Sequence, residues 1–228
     1  MSGVALVTGA SRGVGRAIAA SLAARGLDLG LVGRASPELS GAAEQLAREL
    51  GRKVVLAPAD FRDPASLERA AARVVEDLGP PSVVVHNAGM IVRGTIEQTS
   101  VDAWDEQLDV NLRAPFVLTR ALLPPMRAAG RGRFVFIGSI SGTLGSPGAA
   151  AYAASKWGLS GFVKSLAEEL RDSGLLAVAI LPGAIDTDML RGGPFAARMS
   201  ADEVAKTATF LALDASPAHN GALVEMFG

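Results

Sequence analysis

Short, uniformly apolar runs punctuate the 228-residue chain at 4–8, 29–32, 54–58, 82–86, 134–138, 176–181 and 222–226. Most lack the alternation of a strand with one wet face, which is how strands covered on both sides read. Between them, segments 14–25, 39–50, 65–78, 152–171 and 201–213, and two more within 101–128, repeat apolar residues at intervals of three and four. That is the period of a helix burying one stripe. Alternating strand and helix predict a parallel sheet with helices on both faces. No Pro/Gly-rich linker, charge run or internal repeat divides the chain. The expected fold is α/β, a single doubly wound Rossmann domain over 1–228 with a parallel sheet of about seven strands.

Composition narrows the function. Hydrophobic residues make up 49% of the chain, enough for a sizeable core. A net charge of −1 argues against nucleic acid or anionic membrane as partners. With no cysteine there are no disulfides or thiolate metal sites, and no metal is expected. The first residues, MSGVALVTGA, lack the basic start and long apolar core of a signal peptide, and the longest uniform apolar stretch, 175–181, is far below the ~18 residues of a membrane span. The expectation is a soluble cytoplasmic protein.

Two local patterns carry chemistry. The stretch LVTGASRGVGRAI leaves the first strand and opens the first helix, with Gly9, Gly13 and Gly15 spaced G-x3-G-x-G. Small residues there let the backbone approach a pyrophosphate, and the helix N-terminus offers free N–H groups. An ordinary glycine-rich turn is the alternative, but the position at strand one favours a nucleotide. At the end of strand two, where an NAD site usually carries an acid for the ribose 2′-hydroxyl, the residues are Gly33 and Arg34. An arginine there suits a 2′-phosphate, and Arg12 offers a second cation. NADP(H) is therefore the expected cofactor, with NAD(H) as the alternative.

The second pattern is AYAASKWG. Tyr152 is the chain's single tyrosine, and Lys156 follows it by four residues, one helical turn away on the same face. A phenol titrates near ~10, too high for easy exchange at neutral pH, and a neighbouring ammonium lowers that value. The pair suits proton transfer, although a lone tyrosine also packs well in a core.

With TGASRGVG, HNAG, VNL, IGSIS, YAASK and PGAIDTDM in this order, the chain resembles the short-chain dehydrogenase/reductase family, most of all its 3-ketoacyl-acyl-carrier-protein reductase type. The resemblance covers 4 to about 189 and resumes more loosely over 201–213. It implies a catalytic set of Ser139, Tyr152, Lys156 and Asn111. In that set Ser139 bonds the substrate oxygen, Lys156 also donates to the nicotinamide ribose, and Asn111 holds a water linking Lys156 to solvent. It implies cofactor contacts at Gly9, Ser11, Arg12, Gly13, Val14 and Gly15 in the turn, and at Arg34. Asp60 and Phe61 are implied beside the adenine, and Asn87, Ala88 and Gly89 along the adenosine. Tyr152 and Lys156 also touch the cofactor, and Pro182, Gly183, Ile185 and Thr187 hold the nicotinamide.

There are departures. His86 stands where the family usually has a first asparagine, and a structural role is expected for it. The substrate lid, about 189–199, is short, and the ending NGALVEMFG lacks the usual Asp/Asn-Gly-Gly. Ser141, Ser146 and Ser155 read as turn or helix residues, and Trp157 and Phe162 as helix-packing ones. Loops 90–95, 140–146 and 189–199 are the expected pocket walls. The implied activity is NADP(H)-dependent reduction of a carbonyl to a secondary alcohol, with a 3-ketoacyl thioester as one substrate. The alternatives are NAD(P)-dependent dehydrogenation of a secondary alcohol, sugar or steroid, and a non-catalytic dinucleotide-binding sensor. Expected partners are the small-molecule substrate, acyl carrier protein, and further copies of the chain in a tetramer or dimer.

Overall fold

A computed structural model describes residues 3–191 and 195–228. One sheet takes in seven strands, β1 Val4–Thr8, β2 Asp28–Gly33, β3 Val54–Pro58, β4 Val83–His86, β5 Gly132–Ile137, β6 Leu175–Pro182 and β7 Leu223–Met226. The helices are α1 Gly13–Ala24, α2 Pro37–Leu50, α3 Pro64–Leu78, α4 Val101–Leu108, α5 Ala114–Ala128, α6 Ala150–Glu169 and α7 Ala201–Leu213. All strand pairs are parallel, in the order β3-β2-β1-β4-β5-β6-β7.

The pleat explains why the strands read as uninterrupted apolar runs. Leu6, Val84, Phe134, Phe136, Ala177 and Ala179 point to one face, where α3, α5 and α6 cover them. Ala5, Val7, Val83, Val85, Val135, Val178 and Ile180 point to the other, under α1, α2 and α7. Each strand residue is thus buried whichever way it faces. Fully burying a leucine or valine contributes ~1.5–3 kcal/mol, so these two layers dominate the folding energy. Helix starts are fixed locally. The Ser36 and Ser100 hydroxyls accept from Leu39 N and Ala103 N at 3.2 and 3.1 Å, and Ser200 closes a capping box with Glu203.

The two segments expected within 101–128 join as one rod. Leu108 leads into a π-helical turn, Asp109–Arg113, and that turn leads into α5. The strand order reverses between β1 and β4, which opens a crevice above their C-terminal ends. Every chemistry-bearing motif of the sequence ends at that crevice. Of the expected lid, residues 192–194 lie outside the described residues.

Candidate active site

The glycine-rich turn needs its glycines for two reasons. Gly9 and Gly13 have φ of +69° and +53°, the left-handed region that disfavours side chains. At Gly15 a Cβ would stand 2.3 Å from the Gly9 carbonyl oxygen and 2.4 Å from Asn87 Nδ2. Helix α1 therefore starts hard against the turn, with its first N–H groups aimed into the crevice, a cradle that fits a dinucleotide pyrophosphate. Ser11 is partly exposed on the turn, whereas Val14 is buried beneath it and packs in the core.

The β4 end is tied to this turn. Asn87 Nδ2 donates to the carbonyls of Thr8 and Gly9 at 3.0 and 3.2 Å. Thr8 Oγ1 in turn accepts from Asn87 N and Ala88 N, both at 2.9 Å. Sequence reasoning missed Thr8, because its role depends on the parallel pairing of β1 with β4.

Around the adenosine end the expectations divide. Arg34 is exposed and has no ion pair among the described residues. Beside it, a Cβ at Gly33 would come within 3.3 Å of Leu39 Cδ2, so a side chain there presses on the first turn of α2. Arg12 is already engaged, with its guanidinium 3.3 Å from Asp188, which also pairs with Arg191 at 3.1 Å. The Asp60 carboxylate accepts a fork from Arg62 Nε and Nη2 at 3.1 and 3.0 Å, and this holds it below the usual carboxylate range. The Phe61 ring is buried in the core, so residue 61 can meet a cofactor through its main chain only.

The segment after β6 returns across the crevice. Pro182 ends the strand, Gly183 N donates to Met226 O at 2.8 Å, and Ile185 bridges to Met199. The Thr187 methyl lies 3.4 Å from where Gly13 would carry a Cβ. Of the four residues expected at the nicotinamide, Thr187 thus reaches the phosphate turn, and the Arg12–Asp188 pair clasps the same two segments.

The four side chains expected to be catalytic gather about the first half of α6. Ser139 follows β5, and its Oγ accepts from Ser141 N at 3.1 Å, so its own proton is available to donate. Tyr152 and Lys156 are buried on α6, with Lys156 Nζ 5.6 Å from the Tyr152 ring centroid and 2.9 Å from the Ile137 carbonyl it bonds. Asn111 sits in the π turn, a distortion frequent at functional sites. Its Nδ2 donates to Met90 O and Ser155 Oγ at 2.9 and 3.0 Å, and its Oδ1 accepts from Met90 N at 2.8 Å. Both amide N–H groups are committed, which leaves an Oδ1 lone pair as the side chain's remaining site for a water. Ser155 is a helix residue as read, and it also buttresses Asn111. Ser141 and Ser146 hydrogen-bond each other at 2.8 Å in the turn.

A model of the short chain dehydrogenase family matches residues 3–193. The chain belongs to the short chain dehydrogenase family. It is 36% identical over 223 residues to the 3-oxoacyl-(acyl-carrier-protein) reductase FabG of Escherichia coli, covering 92% of this chain and 90% of that protein. It is 37% identical to the Pseudomonas aeruginosa protein of the same name, covering 99% and 96%. Among solved structures, a blue fluorescent protein from a metagenomic library, in complex with NADPH, superposes with a TM-score of 0.89 at 33% identity, covering 99% of this chain and 96% of that one. As a short chain dehydrogenase the protein is an oxidoreductase acting on CH–OH groups.

The electrostatics of the dehydrogenase site differ in one respect from the sequence reading. That reading has Lys156 lower the phenol's pKa. In the structure burial is the largest influence on Tyr152 and pushes it up, while the Ser139 hydroxyl and the Arg93 charge pull it down. Lys156 is itself lowered by burial to about 8, so it is still mostly an ammonium at neutral pH.

Proposed function

We propose that this dehydrogenase reduces a carbonyl to a secondary alcohol with NADP(H), and that a 3-ketoacyl thioester is its first substrate class. The observation that carries the reading is the convergence of Ser139, Tyr152 and Lys156 on one crevice with the phosphate cradle of Gly9, Gly13 and Gly15. With the dinucleotide's pyrophosphate in that cradle, its nicotinamide would supply the hydride. Ser139 donates a hydrogen bond to the substrate oxygen and orients it, and Tyr152 delivers the proton. Lys156 keeps a positive charge beside the phenol, and Asn111 holds the loop after β4 against α6. Pro182, Gly183, Ile185 and Thr187 cover the nicotinamide end, while Asp60 and the main chain of Phe61 flank the adenine. The relatives named as 3-oxoacyl-(acyl-carrier-protein) reductases support the thioester substrate and acyl carrier protein as its carrier.

The cofactor choice rests on Arg34 and on the absence of an acid at Gly33. An unpaired guanidinium can fork onto phosphate oxygens, a contact of about 1.5–3 kcal/mol, or roughly ten- to a hundredfold in affinity. NADPH is expected to bind better than NADH, less so as salt rises. Arg34→Ala is expected to remove most of that preference by weakening NADPH and sparing NADH. Fluorescence titration of both cofactors checks this, and equal weakening of the two counts against it. The activity itself is read as NADPH absorbance loss over a panel of ketones and ketoacyl thioesters.

Assembly into a dimer or tetramer is proposed on the face formed by α5 and α6. Phe116 and Trp157 are 46% and 53% exposed there, and Phe116 sits edge-on to Phe162 at 6.2 Å. So much exposed aromatic surface on adjoining helices suits a self-complementary interface. Light scattering at micromolar concentration is expected to give a multiple of the 23.3 kDa chain mass, and a monomer refutes it.

A further inference from the structure

The segments expected to wall the substrate end, 90–95, 140–146 and the described part of 189–199, contain Arg93, Arg191 and Arg198 and no carboxylate of their own, and the acids that meet them, Asp188 and Glu225, are engaged by Arg191 and Thr143. Arg191 is paired with Asp188, and Arg198 packs its Cβ against Gly228 at the chain's end. Arg93 stands apart. It is exposed, and among the described residues it has neither an ion pair nor a hydrogen bond.

The backbone carrying Arg93 is held firmly. Asn111 grips Met90 through both its N–H and its carbonyl. Val92 N donates to Gln107 Oε1 at 2.9 Å, and the fully buried Gln107 is anchored to the Ala103 carbonyl at 3.0 Å. Gly94 N donates to Gly148 O at 2.9 Å, and Gly94 forms a bridge with Ala149. Ala149 leads directly into α6, three residues before Tyr152. Residue 93 is therefore pinned on both sides at the rim of the reacting site, and its charge is felt at the Tyr152 phenol.

A guanidinium on a rigid strap, with no carboxylate partner among the described residues, matches a planar anion better than a neutral chain. We propose that Arg93 is a specificity-determining residue that binds an anionic group of the substrate, a carboxylate or a phosphate carried beyond the carbonyl. This rests on the carbonyl-reductase reading above and deepens it. The two sources of such an anion are a small keto acid and a thioester on a phosphate-bearing carrier.

The test compares two matched pairs, levulinate with methyl levulinate, and acetoacetyl-coenzyme A with acetoacetyl-N-acetylcysteamine. Each is assayed with NADPH in the wild type, Arg93→Lys and Arg93→Ala. The readout is the ratio of kcat/KM for the anionic over the neutral member, which cancels any general effect of charge at 93 on Tyr152. Arg93→Ala is expected to lower that ratio about 10- to 100-fold, mainly through KM, with Arg93→Lys retaining part of it. A fall in the levulinate pair alone identifies a keto acid, and one in the thioester pair alone a carrier phosphate. An unchanged ratio in both pairs overturns the proposal. If the wild type turns over none of the four, the carbonyl-reductase reading fails separately. Calorimetric titration of levulinate and of coenzyme A into the NADP-loaded protein then decides Arg93. Binding lost in Arg93→Ala upholds the assignment, and no binding in the wild type, or binding unaffected by Arg93→Ala, overturns it.

Discussion

Tyr152→Phe is expected to lower turnover by about 10²-fold or more while cofactor affinity stays close to that of the wild type. The ring is packed, with only 9% of the residue exposed, so phenylalanine fills the same space and the fold persists. What disappears is the proton that the proposed mechanism delivers to the substrate oxygen. Ser139 cannot replace it, because a hydroxyl that can donate a hydrogen bond still has a pKa far too high to release its proton. Lys156 stays anchored to the Ile137 carbonyl at 2.9 Å in the variant, so its charge remains where the wild type has it. A positioned acid typically accounts for 10²–10⁴ in rate, which sets the expected loss. The measurement is single-turnover oxidation of NADPH with a saturating ketoacyl thioester, beside a fluorescence titration of NADPH. Near-normal turnover in the variant removes Tyr152 from the mechanism. Reduced turnover with an equal loss of cofactor affinity makes the phenol a cofactor contact rather than an acid.

How far this site was legible in the sequence depends on the kind of interaction. The strands were legible because both faces of the sheet are covered, so β1, β4 and β6 show as apolar blocks. The expected start of the fifth strand, 134, falls two residues late because Gly132 and Arg133 are not apolar, yet they pair with Leu175 and Leu176. The glycine turn and the Tyr152–Lys156 spacing were legible because each is local, set by neighbours in sequence. Contacts made between distant segments were not. Nothing in the residues around Arg12 announces Asp188, and nothing around Asn111 announces Met90 and Ser155. The π turn at Asp109–Arg113 leaves the apolar pattern almost unchanged and shows only as a break between two helical segments. The pKa of Tyr152 belongs to the same class. It follows from burial and from Arg93, a residue that approaches the phenol through the Gly94–Ala149 bridge and not through the helix.

His86 illustrates a departure whose consequence only the packed structure reveals. The imidazole is 3% exposed and stacks on Phe136, with centroids 4.6 Å apart at an interplanar angle of 19°. Nε2 meets Thr119 Oγ1 at 3.0 Å, while Nδ1 has no partner. The role is structural, as the sequence reading expects, but one nitrogen is left unsatisfied. Burial without a counter-charge drives the ring's pKa down to about 3, against ~6.5 in an unfolded chain. Because the folded value is the lower one, the unfolded chain binds the extra proton. The contribution is therefore complete above about pH 6.5 and is lost progressively as pH falls toward 3. The carboxylates with lowered values, Asp60, Glu38, Glu203 and Asp214, begin to cost stability only near or below ~4–4.5, where their unfolded forms protonate. The interval from pH 6.5 to 4.5 thus isolates His86, and the loss across it is roughly 2–3 kcal/mol, a large part of a typical 5–15 kcal/mol. His86→Asn, which restores the amide the family usually carries there, is expected to flatten this interval whatever its effect on absolute stability. Urea unfolding at pH 7, 5.5 and 4.5, at fixed protein concentration, measures both slopes. If the variant loses stability with pH as steeply as the wild type, the acid sensitivity lies elsewhere and the buried imidazole is not its source.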